Sequence, residues 1–256
     1  MNGATMFRLD NEIALVTGSS RGLGSFIARG LAEAGARVII HGTNIQGAEA
    51  TAATFTADGL SAVAAAFDVS DAGAVAKGVA ALAAQGDVPS ILVNNAGINI
   101  RKPLVEFGDD NWHRIMGIHL DGAYFLAKAC APAMLKAGHG KIINMCSLTS
   151  EVTRPNVSAY ATAKGGLKML TRAMAAEWAD KGINCNGIAP GFFATDMNQP
   201  LIDDPEFNGW VKKRTPAGRW GDPTDIAGAA IFLASSAAAY VNGHILAVDG
   251  GFLGSM

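Results

Sequence analysis

Residues 13–24 read IALVTGSSRGLG, and this stretch decides the fold. Its first four residues form an apolar run of the length expected for a buried strand, and residues 25–33 have the pattern of a helix. Glycines allow the turn between them to approach a phosphate closely, and a helix N-terminus offers free N–H groups. Three glycines alone also suit an ordinary turn, but between a strand and a helix they predict a dinucleotide site.

The rest of the chain repeats this order of strand and helix. Short apolar runs alternate with longer segments rich in Ala and Leu, of which residues 159–181 have helical spacing. The predicted strands are residues 13–16, 37–40, 62–67, 91–93, 141–145, 183–189 and 244–248. The alternation predicts an α/β fold: one Rossmann-type domain over residues 1–256, with a doubly wound parallel sheet and helices on both faces.

Residues 191–221 interrupt this rhythm. The stretch is polar and carries Pro200, Pro205 and Pro216. Long insertions in a compact domain are usually functional, so we expect a substrate lid here.

Composition excludes several classes of function. Half of the residues are hydrophobic and the net charge is −2, so the chain lacks the basic surface that binds nucleic acid. Cys130, Cys146 and Cys185 are odd in number and widely spaced, which favours reduced, buried thiols over disulfides or a metal site. No apolar segment has the length of a signal peptide or a membrane span, so we expect a cytoplasmic protein with no membrane partner.

Three polar residues in the second half suggest proton and carbonyl chemistry. Tyr160 and Lys164 are four positions apart in a predicted helix, so they share one face, although such a pair alone also fits a solvated surface. Ser147 follows a predicted strand and is expected at the carboxyl edge of the sheet, where open α/β folds bind ligands. A tyrosine can protonate a nascent alkoxide, a nearby ammonium favours tyrosinate for the reverse step, and a serine hydroxyl can polarise the carbonyl.

The glycine spacing and six further motifs occur in a familiar order over essentially the whole chain. The motifs are residues 17–24, 68–69, 94–97, Ser147, 160–164, 190–191 with Thr195, and 248–251. By these motifs the chain resembles the short-chain dehydrogenase/reductase family. The resemblance implies hydride transfer between a nicotinamide dinucleotide and a carbonyl or alcohol carbon, with Ser147, Tyr160 and Lys164 as catalytic residues.

The same resemblance implies how the dinucleotide is bound. Asp68 would hold the adenine amino group, Asn94 and Gly97 would shape the adenosine side, and Thr195 would reach the nicotinamide amide or a phosphate. Lys164 would also bond the nicotinamide ribose. The implied cofactor-binding residues are Gly18, Ser20, Arg21, Gly22, Leu23, Gly24, Thr43, Asp68, Val69, Asn94, Ala96, Gly97, Tyr160, Lys164, Pro190, Gly191 and Thr195.

The preference for NAD(H) or NADP(H) depends on the residues after the second predicted strand. An acid there would bind the free 2′-hydroxyl and repel a 2′-phosphate. Residues 41–44 read HGTN and contain no carboxylate, and Arg21 adds a positive charge nearby. We therefore predict that NADP(H) is preferred and NAD(H) is usable. His41 in this segment is interpreted either as part of that site or as a surface residue at a strand end.

One position departs from the family pattern. The family usually has Asn before the serine strand, where it helps to hold a water linked to the lysine, and this chain has His119. A histidine can donate and accept through its ring nitrogens. We hypothesise that His119 takes part in proton transfer, with a packing role as the alternative.

The loops after Gly97 and Ser147 indicate the substrate. Arg101, Thr149 and Arg154 lie in these polar, charged stretches, which suits a small hydroxylated and anionic substrate. Within the family the second half resembles enzymes that interconvert gluconate and 5-ketogluconate. Alternatives are a reductase of 3-oxoacyl thioesters or of a neutral polyol, and a dinucleotide-binding protein with little turnover. The resemblance also implies a homotetramer.

Overall fold

The computed structural model describes residues 3–255 and centres on a sheet of seven parallel strands. The strands are β1 (Ile13–Val16), β2 (Arg37–Gly42), β3 (Ala62–Ala66), β4 (Ile91–Asn94), β5 (Gly140–Met145), β6 (Ile183–Pro190) and β7 (Ile245–Val248). They lie side by side in the order β3-β2-β1-β4-β5-β6-β7. The order reverses between β1 and β4, so a cleft opens at the carboxyl ends of these strands. The predicted α/β fold is confirmed.

Helices cover both faces of the sheet. They are α1 (Gly22–Glu33), α2 (Ile45–Ala57), α3 (Ala72–Ala84), α4 (Asp109–Met116), α5 (Gly122–Ala137), α6 (Ser158–Trp178), α7 (Gln199–Ile202), α8 (Pro205–Arg214) and α9 (Ala227–Ala234). Val16 of β1 packs in one core with α1, α2 and α9, whereas Leu15 packs in the other with α3, α5 and α6. Burial on both faces explains why the strands are almost continuously apolar.

The stretch 191–221 contains α7, α8 and a 3-10 turn at Asp196–Asn198. Its ends are tied together, because the Gly221 amide donates to the Phe192 carbonyl at 2.8 Å and the Ala194 amide donates to the Gly221 carbonyl at 2.9 Å. Aromatic rings pack inside it with centroid distances from 5.4 to 6.5 Å. These rings are Phe192, Phe207, Trp210, Trp220 and Phe252. The segment looked polar from its sequence but has an aromatic core of its own.

The three cysteines are free thiols and buried, as predicted. Burial raises the pKa of Cys130 and of Cys185 to about 12, so both thiols stay protonated. Within residues 3–255, no helix has the length and apolar character needed to cross a membrane. No group of three or more His, Cys, Asp or Glu side chains in that range is arranged to bind a metal ion.

Candidate active site

The glycine turn at residues 17–24 leads from β1 into α1 at the carboxyl edge of the sheet. Gly18 has φ +64°, and a Cβ there would lie 2.9 Å from the Ala96 Cα atom. A Cβ at Gly24 would lie 2.5 Å from the Gly18 carbonyl oxygen, so only glycine fits at both positions. Arg21, the N-cap residue of α1, makes no capping bond with its side chain. The turn therefore presents helix amides to an anion, as a pyrophosphate requires.

Asn95 holds this turn, a role that sequence reasoning missed. Its Nδ2 atom donates to the Thr17 carbonyl at 2.8 Å and to the Gly18 carbonyl at 3.2 Å. Its backbone amide donates to the Thr17 hydroxyl at 3.0 Å. The sequence signal for this role is the second Asn of the motif at 94–97, of which only Asn94, Ala96 and Gly97 were assigned to the cofactor. The segment after β4 thus fixes the conformation of the glycine turn.

The residues implied for the adenosine half surround the ends of β2 and β3. Oδ1 of Asp68 accepts from the Ser70 amide at 2.8 Å and from the Ser70 hydroxyl at 2.7 Å. These bonds lower the pKa of Asp68, so its carboxylate is ionised. Val69 is buried, and Thr43 is exposed at the end of β2. His41 is 1% exposed, so its interpretation as a surface residue is wrong.

Asn94, Asn144 and Thr171 form a buried series of side-chain hydrogen bonds. Its Nδ2 atom donates to Oδ1 of Asn144 at 2.8 Å, and the Asn144 Nδ2 atom donates to the Thr171 hydroxyl at 2.8 Å. Oδ1 of Asn94 is left buried without a hydrogen-bond partner and lines a small cavity together with Ala96 and His119. Sequence reasoning missed Asn144 and Thr171, because only the fold brings β4, β5 and α6 together.

The structure brings Ser147, Tyr160 and Lys164 together. Ser147 is the N-cap of a 3-10 turn at Leu148–Ser150, and its side chain lies near enough to the Tyr160 hydroxyl to lower the pKa of that phenol. The Ser150 hydroxyl accepts from the Ser147 amide at 3.2 Å and donates to the Lys164 carbonyl at 3.0 Å. Ser150, which the sequence analysis overlooked, therefore couples the serine turn to α6.

The pKa values of Tyr160 and Lys164 are governed by burial. Burial raises the pKa of Tyr160; the Ser147 side chain and the Arg101 charge oppose the increase, and the Cys146 thiol adds to it. The expectation that Lys164 makes this tyrosine more acidic is not met, because its ammonium donates to the Met145 carbonyl and lies 5.6 Å from the Tyr160 ring centre. Burial also lowers the pKa of Lys164 to about 8. At neutral pH the phenol is protonated and the ammonium is mostly charged.

His119 lies in a π-helical turn at Gly117–Asp121, packs edge-on to Tyr160 with ring centres 5.1 Å apart, and is 5% exposed. Its Nε2 atom lies 2.7 Å from the Ile98 carbonyl oxygen and 3.1 Å from the Ile98 amide. The Nδ1 atom has no partner. Burial, with a smaller contribution from Lys164, lowers the pKa of His119 to about 3, so the ring is neutral near pH 7. This geometry suits a positioning role better than proton transfer.

Arg101 and Arg154 face the same region. The positive charge of Arg101 lowers the pKa of Arg154, after the larger effect of burial, and it also acts on Tyr160. Among the ion pairs within residues 3–255, none includes either arginine. The Arg154 guanidinium lies 5.5 Å from the ring centre of Phe207, a residue of the 191–221 segment that sequence reasoning did not single out. The charge of Arg101 therefore acts on both the phenol and Arg154, and no ion pair within residues 3–255 neutralises either arginine.

The remaining predicted positions line the same edge. The Thr149 hydroxyl is buried without a hydrogen-bond partner. The Gly191 amide donates to the Val248 carbonyl at 2.9 Å, and a Cβ at Gly191 would lie 2.7 Å from the Asp249 Cα atom. Pro190 ends β6, and Thr195 is the N-cap of the first turn of the 191–221 segment.

Comparison with known proteins agrees with this geometry. A family model described as enoyl-(acyl carrier protein) reductase matches residues 18–253. The gluconate 5-dehydrogenase of Gluconobacter oxydans (strain 621H) is 45% identical over all of both chains. The 2-dehydro-3-deoxy-D-gluconate 5-dehydrogenase of Formosa agariphila is 44% identical, over 98% of this chain and 96% of its own.

A solved structure extends the agreement to the fold. The gluconate 5-dehydrogenase from Burkholderia cenocepacia J2315, in complex with NADP and tartrate, is 48% identical with a TM-score of 0.97 over 99% of each chain. The predicted family resemblance is thereby confirmed. With its glycine turn, its seven-stranded sheet and its Ser147–Tyr160–Lys164 cluster, the chain belongs to the short-chain dehydrogenase/reductase family.

Proposed function

We propose that this chain transfers hydride between NADP(H) and a sugar acid, interconverting a secondary alcohol and a ketone such as gluconate and 5-ketogluconate. One observation carries the substrate class: the charge of Arg101 acts on both Tyr160 and Arg154, and no ion pair within residues 3–255 includes either guanidinium group. Guanidinium groups bind carboxylates with two parallel hydrogen bonds, so an anionic substrate meets this arrangement best. Two of the relatives, 45% and 44% identical, are named as dehydrogenases of sugar acids, which supports the same class.

The turn fits a dinucleotide, because glycine at positions 18 and 24 lets it pack closely against Ala96 and against itself at the N-terminus of α1. The α1 amides would hold the pyrophosphate, Asp68 and Val69 the adenine end, and Lys164 the nicotinamide ribose. Residues 41–44 offer no acid to the 2′ position, which favours NADP(H) and leaves NAD(H) usable. When bound, the nicotinamide supplies or takes up the hydride.

The proton is handled by Tyr160. Because burial raises its pKa, this phenol is protonated at neutral pH and donates to the oxygen of the nascent alcohol. Ser147, whose side chain lies near the Tyr160 hydroxyl, holds the substrate oxygen in place and polarises the carbonyl. The Ser147 side chain and the Arg101 charge, which both lower the pKa of Tyr160, stabilise the tyrosinate that remains, and alcohol oxidation runs through the same groups in reverse.

The carboxylate is bound away from the reacting carbon. Arg101 and Arg154 bind it, and the unpartnered Thr149 hydroxyl bonds a substrate hydroxyl. Residues 191–221 act as a lid whose Phe207 contacts Arg154, which links closure of the lid to the arginine that binds the carboxylate. His119 positions Tyr160 and Ile98 through the contacts described above.

A matched pair of substrates tests the proposal. 5-Ketogluconate ends in a carboxylate where L-sorbose has a hydroxymethyl group. A 3-oxoacyl thioester represents the alternative substrate class. We expect NADPH oxidation to show a kcat/KM at least about 100-fold higher with 5-ketogluconate, the difference that one or two charge-assisted hydrogen bonds supply. Equal rates with L-sorbose, a preference for the thioester, or dinucleotide binding without turnover would each overturn it. A higher kcat/KM with NADH than with NADPH would overturn the cofactor preference.

We also propose a single-domain homotetramer in the cytoplasm. Apolar side chains stay exposed on the long helices, with Tyr124 of α5 at 46% and Met169 of α6 at 58%, which suits contacts between subunits. The three free, buried thiols suit a reducing compartment. Sedimentation equilibrium tests the assembly, and a monomer at micromolar concentration would contradict it.

A further inference from the structure

His41 joins three segments that surround the proposed adenosine site. The ring lies in β2 and is 1% exposed. Its Nδ1 atom accepts from the Gly18 amide at 3.3 Å, and its Nε2 atom lies 3.1 Å from the Phe67 carbonyl oxygen. The Phe67 ring packs against it with centres 4.2 Å apart. One side chain thus spans the glycine turn, β2 and the end of β3 that leads into Asp68.

The backbone of His41 holds the same turn. The Ser19 amide donates to the His41 carbonyl at 2.9 Å, and the His41 amide donates to the Ser19 hydroxyl at 3.0 Å. That hydroxyl donates to the Val16 carbonyl at 2.6 Å. Gly18 and Ser19 of the glycine turn are therefore both hydrogen-bonded to His41 of β2.

The partners fix the state of the ring. A carbonyl oxygen only accepts, so Nε2 carries the proton that is donated to Phe67. An amide only donates, so Nδ1 offers its lone pair to Gly18. The ring is a neutral imidazole with one tautomer, and a second proton on Nδ1 would face the Gly18 N–H group.

We propose that His41 is a positioning residue for the dinucleotide: the bond from the Gly18 amide to Nδ1 holds the glycine turn in the conformation that receives the pyrophosphate. Gly18 has φ +64°, a backbone conformation that a glycine peptide does not hold by itself, so external bonds must select it. Asn95 fixes the carbonyl groups of Thr17 and Gly18, and His41 fixes the Gly18 amide. The inference rests on the proposed dinucleotide function.

Two amide substitutions separate the two ring bonds. The Asn Oδ1 atom occupies the place of Nδ1, so His41→Asn keeps an acceptor for Gly18. The Gln Nε2 atom occupies the place of the ring Nε2, so His41→Gln keeps a donor for Phe67 and loses the bond to the turn. By calorimetric titration with NADP+ at pH 7, we expect a Kd within about 3-fold of wild type for His41→Asn and at least about 10-fold weaker for His41→Gln.

A third variant separates affinity from stability. Ile39 is fully buried in β2, on the same face of the sheet as His41, and packs in the core that contains Leu15 and Leu92. Ile39→Ala should lower the Tm and leave the Kd for NADP+ unchanged, whereas His41→Gln should raise the KM for NADPH with little change in kcat at saturation. Equal Kd values for His41→Gln and wild type, or a loss confined to His41→Asn, would overturn the inference. No binding of either dinucleotide by wild type would instead overturn the proposed function.

Acid pH gives an independent measurement. Burial lowers the pKa of His41 to about 4, against the opposing effects of the Phe67 hydrogen bond and of the charge of Asp68, which follows β3. Arg21 of the turn is exposed. Between pH 6 and 4 the Kd of wild type should increase by about 2-fold more than that of His41→Asn, since the ring is half protonated at its pKa. Titration of Asp68 and of the adenine affects both proteins alike, so parallel profiles would count against the role of His41.

Discussion

The two halves of the site differ in how their polar groups are partnered. In the dinucleotide half, Asn95 and His41 bond the backbone of the glycine turn, and Asp68 is bonded by Ser70. In the substrate half, Arg101 and Arg154 have no acidic partner among residues 3–255, and the Thr149 hydroxyl is unpartnered. The first half is organised by the chain itself, whereas the second is completed by its ligand. Substitutions should therefore affect the halves separately.

The largest effect is expected at the junction of the halves. Tyr160→Phe removes the proton donor and keeps the ring that packs on His119. We expect kcat for ketone reduction to fall by about 10³-fold, within the range for loss of a general acid. The Kd for NADP+ should change by less than about 3-fold. Stopped-flow assays and calorimetric titration measure the two values, and a variant that retains a tenth of the wild-type kcat would contradict the assignment.

Removal of the two cations should affect only the substrate half. Arg101→Ala and Arg154→Ala should each raise the KM for 5-ketogluconate by about 10- to 100-fold, because each loses a charge-assisted hydrogen bond. Arg172→Ala on α6 removes an exposed cation whose only described bond is to Met169 and serves as the control. An unchanged KM in both site variants would remove the carboxylate role and the basis for a sugar acid.

The direction of the reaction should respond to pH through Tyr160. Its pKa is raised, so the proton-donating form dominates at neutral pH, and the proton-accepting form grows only as pH rises. The kcat for gluconate oxidation should increase by up to about 10-fold per pH unit between pH 7 and 9, while kcat for reduction stays nearly level up to pH 8. Oxidation that is fastest at pH 7 would contradict this assignment of the proton donor.

The smallest effect on activity is expected at His119. One ring nitrogen faces both the amide and the carbonyl of Ile98, whereas the amide group of His119→Gln offers a donor and an acceptor at that distance. We expect kcat within about 3-fold of wild type and an unchanged pH–rate profile, because a neutral ring carries no proton in the reaction. An acid limb that disappears in the variant would restore the proton-transfer hypothesis.

His119→Gln should change the pH dependence of the free energy of unfolding more than it changes kcat. The His119 pKa is about 3 in the folded chain and about 6.5 when unfolded, so the unfolded chain binds more protons between these values. The free energy of unfolding contributed by His119 is therefore lost as pH falls from 6.5 towards 3. His119→Gln removes this contribution, and urea unfolding at pH 7 and pH 5 should show a smaller difference than in wild type.

Sequence patterns predicted the strands and the catalytic cluster because both depend on local order. Each of the predicted strands is present, and the spacing from Tyr160 to Lys164 places both on α6. The pattern did not predict the raised pKa of Tyr160, since burial outweighs the opposing effects of Ser147 and Arg101. It also missed the aromatic core of residues 191–221, because its rings come from separate turns and from Phe252 near the chain end.

By itself the sequence determined the sheet, the glycine turn and the residues proposed to perform the chemistry, because apolar period, glycine spacing and motif order act over short stretches of chain. Only the tertiary structure decided that the His41 ring points inward and accepts from the Gly18 amide, and that the Asn94 side chain donates to that of Asn144. It also decided that the charge of Arg101 acts on Arg154, with no ion pair to either arginine within residues 3–255. The contacts depend on which strands are neighbours in the sheet, and the pKa shifts depend on how far burial removes each group from water. Neither quantity is written in the order of the residues alone.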